Sequence, residues 1–128
     1  MAGQGSTIEN GATGEVFTFR RTGGETNGES LVVEAVVRPG AAPPAAHAHP
    51  AAEERLQVVR GTVGYRIGRT RGVARAGERL TVPPGTRHRF WNAGADEAQF
   101  VFELRPAPDA DALASTLARA PQRERSRA

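Results

Sequence analysis

The chain has 128 residues, a formal net charge of +3, 38% hydrophobic residues, no cysteine and, among its 17 basic residues, no lysine. That length suits one compact domain, which buries roughly two-thirds of its unfolded surface. The composition excludes a disulfide framework, thiolate ligands, thiol nucleophiles and Schiff-base chemistry.

Residues 1–13 are rich in Gly, Ser, Thr and Asn and read as a loose arm. Glu15 to Phe19 alternates in part and is aromatic, which predicts a strand. Thr22 to Glu29 reads as a loop. Leu31 to Val37 (LVVEAVV) is nearly continuous and β-branched, the pattern of a strand buried on both faces. Pro43 and Pro44 exclude a helix interior, so AAPPAA is an extended lead-in to His47. A strand resumes over Arg55 to Val59. Val63, Tyr65 and Ile67 then alternate with smaller or polar residues, as in a half-buried strand. The chain returns in a hairpin through Val73. Short strands follow at Arg79 to Val82, His88 to Asn92 and Gln99 to Leu104. Asp109 to Ala118 reads as a helix, with Asp109 or Asp111 as its cap and Pro121 as its stop. Its Leu113 and Leu117 form a narrow stripe suited to the outside of the sheets. About eight short strands and one helix imply an all-β sandwich or closed barrel.

Other chemistries fall away by inspection. No glycine-rich loop with a lysine exists to hold a nucleotide phosphate. None of Ser6, Ser30, Ser115 and Ser126 sits in a strand–turn–helix elbow. No apolar run approaches the ~20 residues of a membrane span. The first residues lack a basic start followed by an apolar segment, so a cytoplasmic location is expected. The last ten residues hold four Arg and one Glu, whereas the first 118 hold 13 Arg and 13 acids. The excess charge therefore sits in a tail, 120–128, expected to be solvated. Phosphate binding by that tail is the low-prior alternative, and nucleic acid is not the expected partner.

What remains is histidine and carboxylate. His47 and His49 are two apart, so on a strand they share a face, roughly 6.6 Å apart along the chain. Both rings can then reach one ion at ~2.1 Å. A nearby turn returns either Glu53 or Glu54, and His88 is the third and last histidine. Imidazole and carboxylate suit Fe, Mn, Ni, Zn, Co or Cu without choosing among them. Such a set leaves coordination positions open for water or substrate.

These residues resemble the cupin superfamily. Gly40 to Gly61 is similar to the first cupin motif, G-x5-H-x-H-x(3,4)-E-x6-G, and Gly77 to Asn92 to the second, G-x5-P-x-G-x2-H-x3-N. The second matches at Gly77, Pro83, Gly85, His88 and Asn92. In the first, Glu54 stands six residues before Gly61, which selects it over Glu53. One departure exists: six residues, not five, separate Gly40 from His47.

The resemblance implies a small double-stranded β-helix, or jelly-roll barrel, over 14–119, with the short helix at its end. It implies one divalent metal held by His47, His49, Glu54 and His88, and a homodimer. It leaves the reaction open, since fold does not give chemistry. The expected function is a small-molecule metalloenzyme of dioxygenase, isomerase, lyase or cyclase type. A non-catalytic small-molecule binder or sensor is the alternative. Phe90 and Asn92 share the face of His88 and are expected to line the pocket. Tyr65 is a further pocket candidate, although core packing is the commoner role of such a tyrosine. Trp91 faces away, towards the helix or a partner subunit. Phe17, Phe19, Phe100 and Phe102 read as core. Glu34 and Glu103 interrupt apolar strands and are either proton-transfer groups or, the favoured reading, outward and paired with Arg.

Overall fold

A computed structural model describes residues 3–10, 15–41 and 46–118. Nine strands and two helices occur among them: β1 (Thr7–Asn10), β2 (Glu15–Arg21), α1 (Gly23–Thr26), β3 (Leu31–Val37), β4 (Glu53–Arg60), β5 (Thr62–Ile67), β6 (Thr70–Arg75), β7 (Arg79–Val82), β8 (His88–Asn92), β9 (Ala98–Arg105) and α2 (Ala110–Ala118). The strands form a six-stranded sheet, β1-β2-β3-β9-β4-β7, and a three-stranded sheet, β6-β5-β8. All pairings are antiparallel. The inner faces of both sheets meet in one core, so the architecture is the all-β jelly roll that the sequence implies.

Period-2 alternation builds that core. Phe17 and Phe19 from β2, Leu56 and Val58 from β4, and Phe100, Phe102 and Leu104 from β9 all point inward and are buried. Phe90 of the smaller sheet approaches Phe100 of the larger one, with ring centroids 6.4 Å apart. Burying each such ring stabilises the fold by roughly 1.5–3 kcal/mol relative to exposure.

Three local expectations are corrected. Leu31–Val37 is not buried on both faces: Leu31, Val33, Ala35 and Val37 are buried, while Val32, Glu34 and Val36 are half-buried. The sheet is antiparallel and meets solvent on its outer side, so a continuous apolar run is only half used. Within the expected arm, Thr7–Asn10 is a strand paired with Glu15–Thr18. Its backbone groups satisfy the edge of β2, which polar composition does not reveal. The helix α2 is present, but it does not lie on an outer face. Leu113 and Leu117 enter the core beside Phe17, Phe100 and Phe102. Asp109 caps it: its carboxylate accepts from the Ala112 N–H at 3.0 Å. The tail 120–128, Pro121 and the Pro43-Pro44 lead-in lie outside the described residues.

Candidate metal centre

Two segments distant in sequence bring the histidines together. The N–H of His47 donates to the carbonyl of His88 at 3.1 Å, and the His88 N–H donates back to the carbonyl of His47 at 2.9 Å. The turn before β8 adds a third tie, with the Gly85 N–H donating to the His49 carbonyl at 2.9 Å. Gly85 holds φ at 76°, a left-handed conformation that glycine adopts without strain. A glycine is therefore needed there to aim that N–H at the histidine segment.

The result is a tight cluster of rings. Centroids lie 5.0 Å apart for His47 and His49, 4.6 Å for His47 and His88, and 5.2 Å for His49 and His88. One nitrogen from each ring lies within 4.8 Å of the other two, a group that could hold a metal ion. Parity on β4 decides between the two glutamates. Glu54 shares the buried face with Leu56 and Val58, while Glu53 faces out and pairs with Arg55 at 2.9 Å. Glu54 Oε1 stands 3.3 Å from His49 Nε2 and 2.9 Å from His88 Nε2.

The donor chemistry tests whether a cation fits. His88 Nδ1 lies 3.0 Å from the Thr86 carbonyl, which can only accept, so Nδ1 carries the proton. The neutral ring then directs the bare lone pair of Nε2 at a carboxylate oxygen. Both Glu54 Oε1 and His88 Nε2 are buried and lack a hydrogen-bond partner of good geometry. Two buried acceptors facing each other are costly unless a cation lies between them. The second-nitrogen bond to a backbone carbonyl is also the usual way a ligating imidazole is oriented. The residues present therefore fit a metal.

A proton is the competing cation. Burial alone would raise the Glu54 pKa, but the His49 and His88 rings outweigh it and hold the carboxyl at about 2. Burial alone would lower the His88 pKa, but the Glu54 carboxylate outweighs it and raises it. Without a metal, both shifts favour the charged forms of the pair.

The walls around this cluster are largely apolar, with Glu15 and Arg89 also among them. Phe17, Phe90, Phe100, Phe102, Leu113 and Leu117 line a cavity with His47, His49 and Glu54, of about 40 Å³. Phe90 is among these wall residues. Asn92 does not line it: its Nδ2 donates to the carbonyls of Val37 and Asp96 at 2.9 and 2.8 Å, and its Oδ1 accepts from Gly94 at 2.8 Å. Both of its N–H groups and its oxygen are thus engaged by backbone groups. Tyr65 packs over Gly72 against the core and is not among the cavity walls. Trp91 lies over Gly64 on the outer side of the smaller sheet, away from α2. Glu34 pairs with Arg20 and Gln99, and Glu103 with Ser30 and Arg105, so both are outward and neutralised. Sequence reasoning passed over Glu15. It is buried and lines the metal cavity, one alternation before Phe17 on the inner face of β2. The same period-2 count that placed Phe17 and Phe19 would have found it.

A family model described as a cupin domain matches residues 33–102. Protein SchB of Streptomyces halstedii is 41% identical over 91 residues, 70% of this chain and 64% of the relative. Polyketide synthase CurC of Streptomyces cyaneus is 39% identical over 72 residues, 56% of this chain and 46% of the relative. The chain thus spans less than two-thirds of either relative. Among solved structures, a predicted oxalate decarboxylase from Thermotoga maritima aligns with a TM-score of 0.71 at 17% identity, covering 80% of this chain and 92% of that one. That likeness concerns the fold alone.

Proposed function

The chain belongs to the cupin family, and on that premise we propose that it is a divalent-metal enzyme acting on a small, largely apolar organic molecule. The observation that carries the reading is the buried, unsatisfied pair Glu54 Oε1 and His88 Nε2 beside two further imidazoles. His47, His49, Glu54 and His88 would hold the metal. When bound, it supplies Lewis-acid chemistry, or redox chemistry if it is iron or copper.

The chain's own residues supply the rest. The Thr86 carbonyl orients His88. Four phenylalanines and two leucines exclude water and present rings to an aromatic or alicyclic substrate. Glu15 is the acid placed to accept or deliver a proton inside the cavity. A cavity of about 40 Å³ is small for an organic substrate, and Leu113 and Leu117 of α2 are the wall residues whose movement would enlarge it.

The curated relative named a polyketide synthase supports an aromatic, polyketide-like substrate class. Dioxygenase, isomerase, lyase and cyclase activities remain the reaction types, and metal identity separates them. A non-catalytic binder or sensor is the second reading, favoured by the small volume of the cavity. Homodimer assembly, supported by family resemblance, is part of the proposal, as is a cytoplasmic location.

Elemental analysis of the purified protein comes first. Metal-loaded and metal-stripped samples are then incubated with aromatic polyketides and followed by mass spectrometry and oxygen uptake. Metal-dependent product formation supports the enzyme. Binding without conversion, across metals, supports the sensor.

A further inference from the structure

We propose that the outer face of the β6-β5-β8 sheet is a second binding site, for a compact organic phosphate whose planar part rests on Trp91. The strand β8 borders both sites: Arg89 and Phe90 line the cavity beside the histidines, and His88, Arg89 and Trp91 line this groove.

Register places the charges. Arg66 pairs with Arg71 across β5 and β6, and with Arg89 across β5 and β8. Directly paired residues of antiparallel strands share a face, so three arginines stand in one row across three strands. Like charges directly opposite one another destabilise a sheet, so the Arg66–Arg71 pairing carries a cost. The adjoining row is Val73, Gly64 and Trp91. A Cβ at position 64 would collide with the Trp91 indole, so glycine is what lets the ring lie over the strand. Val73 beside it is exposed, at 46%. A cationic row thus runs alongside an apolar platform.

The face is concave and free of acids. Arg66, Arg71, Arg87, Arg89 and Trp91 border a groove of about 430 Å³ with no carboxylate on its wall. That volume falls within the roughly 300–1,000 Å³ range of small-molecule sites. Among the described residues, no ion pair involves Arg66, Arg71 or Arg87. Guanidinium forks match phosphate oxygens bidentately, and several together call for a multiply charged anion.

Charge segregation selects a compact ligand. Residues 62–92 contain seven Arg and one Glu, whereas the rest of residues 1–118 contain six Arg and 12 acids. The balanced total hides a basic sheet on an acidic body. A long polyanion would extend from the groove over like-charged neighbours; a small phosphate ester does not.

Trp91 is the sole tryptophan, so intrinsic fluorescence reports from the groove. The metal-loaded full chain is titrated with ADP, adenosine, pyrophosphate and duplex DNA. The expected result is saturable quenching by ADP, displaced by pyrophosphate, with adenosine far weaker. Arg66→Gln and Arg71→Gln should each weaken ADP about tenfold, the loss of one charge-assisted contact. Their metal content and Tm should be kept or, for Tm, raised, because each removes repulsion. Absence of saturation at millimolar ADP, equal binding of ADP and adenosine, or wild-type affinity in both variants overturns the site. Tighter binding of duplex DNA than of ADP overturns the small-molecule assignment. None of these readouts depends on turnover at the metal.

Discussion

His88 Nε2 and Glu54 Oε1 face each other at 2.9 Å, buried, while the other nitrogen of the ring is committed to the Thr86 carbonyl. This pair is stable only with a cation at Nε2, either a proton or a metal. The two states respond to pH in opposite directions.

In metal-free protein the pair contributes stability within a window. The Glu54 pKa is depressed to about 2, so its contribution is present above the ordinary carboxylate value near 4.5 and is lost as pH falls towards 2. The His88 pKa is raised, so its contribution is full below the ordinary value near 6.5 and is lost as pH rises through the raised value. Tm of chelator-treated protein should therefore peak between about 4.5 and 6.5. Metal-loaded protein should instead lose its extra Tm below about pH 6, where the rings protonate. Parallel Tm–pH curves for the two forms would contradict the competition.

Glu54→Gln keeps the shape and removes the charge. Metal affinity should fall by at least ~10-fold, read by chelator competition. Glu53→Gln, on the outer face of the same strand, should leave it unchanged. Equal effects of the two would show that strand parity does not select the ligand.

Leu113→Ala opens the cavity wall. It should cost about 2–4 kcal/mol of unfolding free energy, by lost burial and the void left. Chelator should then strip the metal faster, because α2 no longer seals the cluster. An unchanged stripping rate alongside the stability loss would mean that exchange runs by another path.

Glu15→Gln separates catalysis from metal holding. Metal content should stay at wild-type level while turnover of any identified substrate falls by roughly 100-fold, the usual size of a general acid–base contribution. Loss of metal in this variant would instead place Glu15 among the ligands.

Gly64→Val tests the outer platform. The new side chain cannot coexist with the indole over β5, so Trp91 must swing into solvent. Its emission should shift to the red with metal retained. An unshifted spectrum would mean that the ring does not lie where the structure puts it.

Much of this was legible in the chain itself. Alternation on β2, β4 and β9 and glycines at turns were enough for an all-β fold, the spacing of His47 and His49 for a shared face, and the motif resemblance for joining His88 to them. These features are local: strand parity and turn chemistry depend on residues a few places apart. Other features depend on which strand lies beside which, and no local pattern encodes that. The placing of Leu113 and Leu117 in the cavity wall and the diversion of Asn92 to turns are of this kind. So is the basic face. Counted along the chain, the first 118 residues are neutral. Pairing β5 with both β6 and β8 gathers Arg66, Arg71 and Arg89 into one row, because antiparallel register places paired side chains on the same side of a sheet.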